Sequence, residues 1–360
     1  MLKINPLSTL YVGIDVSSKS NYVCALDFFK NKYINSSFAN NQPGAEELAL
    51  KILECLNQHP DLTMVVAALE STSVYSIHIA NYLSSCEELM RFKPYVFVLN
   101  PKCTANYKKS YIGLGKSDPI DAFVIADYAR AGNIESEPWR GSQFLALKRL
   151  TRHRLHLVEC MTREKTYLIS NLYLKFSELQ MLEGDDQPFC DIYGATSSSV
   201  LMEYLSPEEI LASSEEDLIA FLAEKSRNRI KDISKTADLL KKAARDSYRL
   251  DKALYEPLNV SIASSFNCIE TFKREIKVID NAIEKEIKGL NPNAFIILQS
   301  IDGIGPVFAG GIIAEIGDIT AFHSSDALAK YAGLTWKSNQ SGDFDGEDTP
   351  MIKAGNRYLR

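Results

Sequence analysis

Apolar positions in the first hundred and thirty residues come in short runs whose spacing switches between alternate residues and every third or fourth. Leu10–Val16, Asn21–Phe28 and Lys32–Phe38 read as three strands, parted by polar breaks at Ser17–Ser20 and Lys30-Asn31. Pro43–His59 places Leu48, Ile52, Leu53 and Leu56 at helical spacing. A buried strand follows at Met64–Leu69, then a helix at Val74–Leu83 and a strand at Tyr95–Leu99 that Asn100-Pro101 closes. A further helix starts at Asp118, with Pro119 suited to the first helical position, and runs to about Ala131.

From Ser142 to Leu290 the pattern is helical. Phe144–Tyr173 reads as one long basic helix, and Asp185–Ser199 as a polar loop or linker. Ser206 and Glu209 have the spacing of a capping box. Ile262, Phe266, Ile269, Phe272, Ile276, Ile279, Ile283 and Ile287 recur in steps of four and three, a coiled-coil seam. It is expected to pair either with a helix at Thr236–Tyr255 or with a second subunit. Leu298–Ala309 has the form of a helix-hairpin-helix: Gly303 and Gly305 permit the turn, Ile304 anchors it and Pro306 opens the second helix. Free N–H groups at such a helix start suit a phosphate without reading bases. An ordinary helical hairpin is the alternative.

Three strands, helix, strand, helix, strand, helix is the element order of the ribonuclease H-like fold. The fold class is therefore α/β followed by α, with domains at 1–135, 136–290 (helical and coiled-coil) and 291–360. Candidate chemistry falls on that framework. Asp15 closes the first strand, Glu70 closes the fourth, and Asp118 and Asp121 share one face at the start of the late helix. Gathered carboxylates repel, and some would stay protonated. A hard divalent ion such as Mg²⁺ resolves the conflict and leaves positions open for phosphate, which points to metal-assisted phosphodiester chemistry. Taken singly, Asp118 could cap its helix, Asp121 could answer the helix dipole, and Asp15 and Glu70 could be strand-end turn residues.

Charge changes the picture through its distribution. The net charge is −6, yet Arg91–Lys175 holds 15 Lys and Arg against 7 Asp and Glu. Lys102, Lys108, Lys109 and Lys116 precede the acidic pair, and Arg149, Arg152 and Arg154 follow it. These are the candidate phosphate contacts, joined by Gly303 and Gly305. A solvated helix face explains such a run equally well. Seven scattered cysteines, with no CxxC spacing, read as reduced thiols in a cytoplasmic protein. The histidines carry no zinc spacing, the start has no secretory pattern, and no apolar run approaches the roughly 20 residues of a membrane span.

Near the end stand Tyr331–Leu334, Gln340-Ser341-Gly342 and Gly355–Arg360. On spacing alone Ser341 is a turn serine, and a serine hydroxyl needs a base or a metal to become a nucleophile. The nearest histidine in sequence is His323.

Together these segments resemble the DEDD transposases of the insertion-sequence-110 family. Gly13–Ser17, Ala68–Thr72 and Lys116–Ala122 are similar to its three acidic motifs, with Ser117 where threonine is usual, and the helix-hairpin-helix and the three terminal segments follow its order and spacing. The resemblance implies a RuvC-like N-terminal domain in which Asp15, Glu70, Asp118 and Asp121 hold Mg²⁺. It also implies a C-terminal domain whose Ser341 attacks DNA to form a covalent 5′-phosphoserine. Its implied partners are donor and target DNA, a noncoding bridge RNA, and further copies of the chain as dimers assembling to tetramers. Two other functions remain open: a RuvC-like nuclease or junction resolvase that activates water, and a non-catalytic nucleic-acid-binding remnant.

Overall fold

Five strands form one mixed sheet: β1 (Thr9–Val16), β2 (Ser20–Leu26), β3 (Lys32–Ala39), β4 (Met64–Glu70) and β5 (Tyr95–Leu99), in the order β3-β2-β1-β4-β5. The first three run antiparallel as a meander, and β4 and β5 lie parallel to β1. The computed structural model describes residues 4–360 apart from 72, 135–137, 140, 337–339, 342–343, 346–349 and 354. The chain divides into two compact units, Met1–Gln143 and Phe144–Arg360.

In the first unit the pleat separates two layers. Leu10, Val12, Ile14, Val65, Leu69 and their neighbours face α1 (Gln42–Gln58) and α2 (Tyr75–Ser85). Tyr11, Cys24, Val66, Ala68 and Phe97 face the other side. There they meet Ala122, Ile125 and Ala126 of α4 (Asp118–Arg130). Such a sheet with helices on both faces is consistent with a ribonuclease H-like domain. Between β5 and α4 lies α3 (Pro101–Lys108), which the apolar pattern does not predict because Thr104 is its one buried residue.

α4 lies against β1 with almost nothing between them. A Cβ on Gly13 would sit 2.8 Å from Ala126 Cα and closer still to the Ala122 carbonyl and the Ala126 amide. Glycine at 13 and alanine at 122 and 126 are thus one packing decision, which fixes how near the start of α4 comes to the ends of β1 and β4.

The second unit is helical: α5 (Leu145–Lys175), α6 (Ala195–Glu203), α7 (Pro207–Ala212), α8 (Glu215–Ser226), α9 (Ile233–Asp246), α10 (Lys252–Leu290), α11 (Pro292–Gln299), α12 (Pro306–Ile316) and α13 (Ser325–Ala332). Short strands β6 (Gln340–Ser341) and β7 (Phe344–Asp345) pair antiparallel. The isoleucine seam of α10 packs along α5. Leu168 and Leu172 meet Ile262, Phe266 and Ile269 at one end, and Leu147 meets Ile283 and Ile287 at the other. Low numbers on one helix against high numbers on the other make the pair antiparallel. The expected helix at Thr236–Tyr255 is instead divided between α9 and α10, since Asp251 caps a new start by accepting from the Ala253 amide.

Two further expectations are corrected. Asp185–Ser199 is not all loop, because α6 begins at Ala195 and buries Ser197, Val200 and Leu201. Glu209 does reach back over the start of α7, but it accepts from the Leu205 amide at 2.7 Å, and the Ser206 hydroxyl makes no capping bond. Lys175 is wholly buried, with Nζ donating to the Leu201 carbonyl at 2.7 Å and to Asn259 Oδ1 at 2.5 Å. It ties the ends of α5 and α6 to α10. All seven cysteines are free thiols. Among the described residues no helix is long and apolar enough to cross a membrane.

Gly13→Ala tests the close approach. Forcing α4 off β1 should lower stability by about 2–3 kcal/mol, read as the shift in a urea midpoint. An unshifted midpoint would show that the contact is dispensable.

Candidate active site

Strand alternation decides where the first two acids point. Asp15 shares its side of β1 with Tyr11, and Glu70 shares its side of β4 with Val66 and Ala68, so both face the layer that α4 covers. The parallel ladder pairs Ile14 with Leu69, one residue before each acid. The two carboxylates therefore leave neighbouring strands side by side.

α4 supplies the second pair from its first turn. The cap position belongs to Ser117, not Asp118, and Pro119 is the second helical residue, one place later than expected. The Ser117 carbonyl accepts from the amides of Ile120 at 3.0 Å and Asp121 at 2.9 Å. Asp118 is exposed and Asp121 half-buried.

One charge field joins all four. Burial, then the charges of Asp121, Asp118 and Glu70, push the Asp15 carboxyl up to about 6, while Lys108 pulls it down. α3 answers part of that repulsion. Asn100 caps it, accepting from the Lys102 amide at 3.0 Å, and one face then presents Thr104 and Lys108, four residues apart. The buried Thr104 hydroxyl donates to Glu70. Lys108 Nζ stands 2.5 Å from Asp121 Oδ1. Thr104 escaped the sequence reading. The signal available was the Asn100-Pro101 helix start with a threonine one turn on.

A third acid of α4 behaves in the opposite way to Asp15. The Asp127 side chain is fully buried and accepts from Tyr107 at 2.8 Å, from Tyr111, from Arg130 at 2.6 Å and from Lys30 at 3.3 Å. Burial alone would raise this carboxyl, but the bonds from Tyr111, Arg130 and Tyr107 outweigh it and hold it below the usual range. Asp127 anchors the segment that joins α3 to α4.

The donors around Asp15 are hard oxygens, four carboxylates and a hydroxyl, and the repulsion at Asp15 is of the kind a divalent cation relieves. In chemistry the set fits such an ion, with Asp15, Glu70, Asp118 and Asp121 to hold it. In the conformation described, Thr104 and Lys108 engage two of the four. Among the described residues no three His, Cys, Asp or Glu side chains stand close enough together to hold a metal.

The cationic candidates divide into two sets. Lys102, Lys109, Lys116 and Arg149 are exposed. Lys108 is paired with Asp121, Arg154 Nε lies 2.5 Å from Asp280, and Arg152 is bidentate to Glu315 at 2.7 and 2.9 Å. Gly303 turns the chain between α11 and α12 in the left-handed region, at φ 88°, and Gly305 caps α12. Ser341 lies in the second unit, on β6, paired with Phe344. Its side chain and Gly342 are outside what the structure describes.

Comparison with known proteins finds relatives over both units. A family model described as a transposase, of DEDD type, matches residues 12–177, and the Transposase IS116/IS110/IS902 family model matches 296–360. The chain is 25% identical over 356 residues to the insertion element IS900 uncharacterized 42 kDa protein of Mycobacterium paratuberculosis, covering 98% of this chain and 82% of that one. It is 24% identical over 354 residues to the insertion element IS116 uncharacterized 44.8 kDa protein of Streptomyces clavuligerus, covering 94% and 78%. A pilin gene-inverting protein of Moraxella lacunata is 26% identical over 160 residues, 44% of this chain and 46% of that protein.

The raised Asp15 carboxyl fixes a pH signature. Between 3.8 and about 6 the folded chain keeps a proton that the unfolded chain has lost, so stability falls as pH rises through that window. Asp15→Asn should flatten this slope and raise stability at pH 7 in chelator by about 1–2 kcal/mol, allowing for solvent screening. Thermal melts from pH 4 to 7.5 measure it. An equal slope in the variant would mean that the acids do not share a field.

Proposed function

The chain belongs to the IS110 family of DEDD transposases, and from that premise we propose that it cuts and rejoins DNA through a covalent phosphoserine at Ser341. It is a DNA transposase or recombinase. The finer reading assigns Asp15, Glu70, Asp118 and Asp121 to the scissile phosphate and Ser341 to the attack. The serine oxygen bonds to phosphorus, and the bond from phosphorus to the 3′ oxygen breaks. DNA is left with a free 3′-hydroxyl and a 5′-phosphate ester on the protein. The linkage keeps the free energy of the broken phosphodiester for rejoining.

DEDD transposases as a family use divalent metal, and we assign Mg²⁺ here. Bound by the four acids, it would supply positive charge to the phosphate and lower the pKa of an attacking hydroxyl. Thr104 and Lys108 set the resting positions of Glu70 and Asp121. The exposed Lys102, Lys109, Lys116 and Arg149 contact phosphates, and the α11–α12 turn at Gly303 and Gly305, as a helix-hairpin-helix, holds another. Further partners on this reading are a noncoding bridge RNA that pairs with donor and target DNA, and copies of the chain as dimers assembling to tetramers. Residues 1–135, 136–290 and 291–360 act as catalytic, helical coiled-coil and serine-bearing domains. The observation that supports the reading is that Asp15 and Glu70 leave neighbouring parallel strands side by side, on the face covered by the helix whose first turn carries Asp118 and Asp121.

A second reading, a water-activating nuclease, draws on the fact that all four acids belong to one compact unit without Ser341. A suicide DNA substrate separates the two. Wild type and Ser338→Ala should trap a covalent protein–DNA adduct that Ser341→Ala does not form. Asp15→Ala and Asp121→Ala should slow adduct formation by about a hundredfold or more. Cleavage by Ser341→Ala at the wild-type rate would hand the assignment to the nuclease. Salt-sensitive DNA binding with no cleavage in any divalent metal would make the chain a binding remnant.

A further inference from the structure

Three segments singled out by the sequence, Tyr331–Leu334, Gly355–Arg360 and the basic stretch around Arg152, meet at a residue that the sequence did not mark. Glu315, near the end of α12, is 2% exposed. Arg152 reaches it from α5 with Nε 2.7 Å from Oε1 and an Nη 2.9 Å from Oε2. Asn356 Nδ2 donates to Oε2 at 2.7 Å, and Lys148 Nζ stands 3.9 Å away. The same Asn356 amide lies 3.2 Å from the Tyr331 hydroxyl, which donates to the Glu315 backbone carbonyl at 3.3 Å. Arg152 also stacks 4.2 Å over the Tyr358 ring.

The two arms gathered by this network flank β6 and β7. In sequence Tyr331–Trp336 precedes the hairpin and Met351–Asn356 follows it. Between the arms the Asn356 backbone N–H donates to the Tyr331 carbonyl at 2.7 Å, the Ile352 backbone N–H to the Thr335 carbonyl at 2.8 Å, and Trp336 bridges Met351. Gly333, at φ 77°, and Gly355 lie so close that a Cβ on Gly355 would stand 2.5 Å from the Tyr331 carbonyl. A planar guanidinium on a carboxylate fixes angle as well as distance, which a lysine in the same place would not.

We propose that Glu315, Arg152 and Asn356 form a latch that sets the base of the Ser341-bearing hairpin against the helical frame of its own unit. They are positioning residues, not phosphate contacts. Arg152 is thereby moved from the nucleic-acid surface to the frame. The proposal rests on Ser341 being the nucleophile only for its link to rate, and the latch itself has a separate readout.

The test uses the full chain with Asn356→Ala, Arg152→Lys and, as control, Asp280→Asn. The control breaks the Arg154–Asp280 pair between α5 and α10 and touches neither arm. Hydrogen exchange should quicken at the amides of Gln340–Ser341, Thr335–Trp336 and Met351–Ile352 in the first two variants and stay unchanged in the control. Adduct formation on the suicide substrate should slow by about tenfold to a hundredfold, with DNA affinity kept. Unchanged exchange in both latch variants, equal exchange in the control, or quickened exchange with a wild-type adduct rate would each overturn the latch. Quickened exchange in a protein whose wild type forms no adduct would support the latch and remove the serine reading alone.

Discussion

The candidate site depends on a helix lying directly on a strand. Side chains between a helix and a sheet ordinarily keep their backbones well apart, and at that spacing acids at the start of α4 could not share a field with acids on β1 and β4. Gly13 removes the side chain on one surface, and Ala122 and Ala126 minimise it on the other. The Gly-Ile-Asp run is thus a mechanical statement before it is a chemical one. The glycine admits the helix, the isoleucine fills the opposite layer against α1, and the aspartate faces what the helix brings.

What the approach creates is repulsion, and the environment sorts the acids by how it is met. Asp15 on β1 and Asp127 on α4 are both acids of the layer between sheet and helix, yet their carboxyls move in opposite directions. Asp15 is part-buried among three other acids with one opposing lysine, so its charged form is disfavoured and its carboxyl rises to about 6. Asp127 is more deeply enclosed, but it collects two tyrosine hydroxyls, an arginine and a lysine, so its charged form is secure. The number and kind of donors, not depth, decides which acid keeps an unmet demand for cation. A carboxylate already satisfied by protein donors serves as an anchor. One held short of donors beside its like is prepared for an ion or a proton.

Much of this was legible in residues whose period or spacing reports on the backbone. The five strands, their order and α4 follow from alternate apolar positions and from Asp118-Pro119, because burial on one or both sheet faces leaves that mark. The four acids could be placed because strand ends and helix starts are themselves readable. α3 was not legible, since a short helix that buries a single threonine has no apolar stripe. The Ser206 cap was misread, because spacing shows that a hydroxyl and a carboxylate could reach the backbone, not which amide they reach. The fate of Arg152 was hidden for a similar reason. A run of cations on a helix looks the same whether each faces water, a phosphate or a buried glutamate 163 residues away.

Asp127 and Glu315 show why such partners are worth their desolvation. A buried ion pair adds little net stability over a well-packed apolar substitute, so stability is a weak reason to keep one. Its property is geometric. A leucine in place of Glu315 could fill the space but would accept any neighbour that also filled it, whereas a carboxylate with a bidentate guanidinium, a side-chain amide and a nearby ammonium is satisfied in one arrangement. In each compact unit the anchor gathers segments that have no stripe of their own to hold them: the α3–α4 connection in the first, the two arms around β6 and β7 in the second. On the proposed reading these are the segments that flank the acids and Ser341. Directional bonds to a buried acid are the means by which a chain fixes a loop without building a core beneath it.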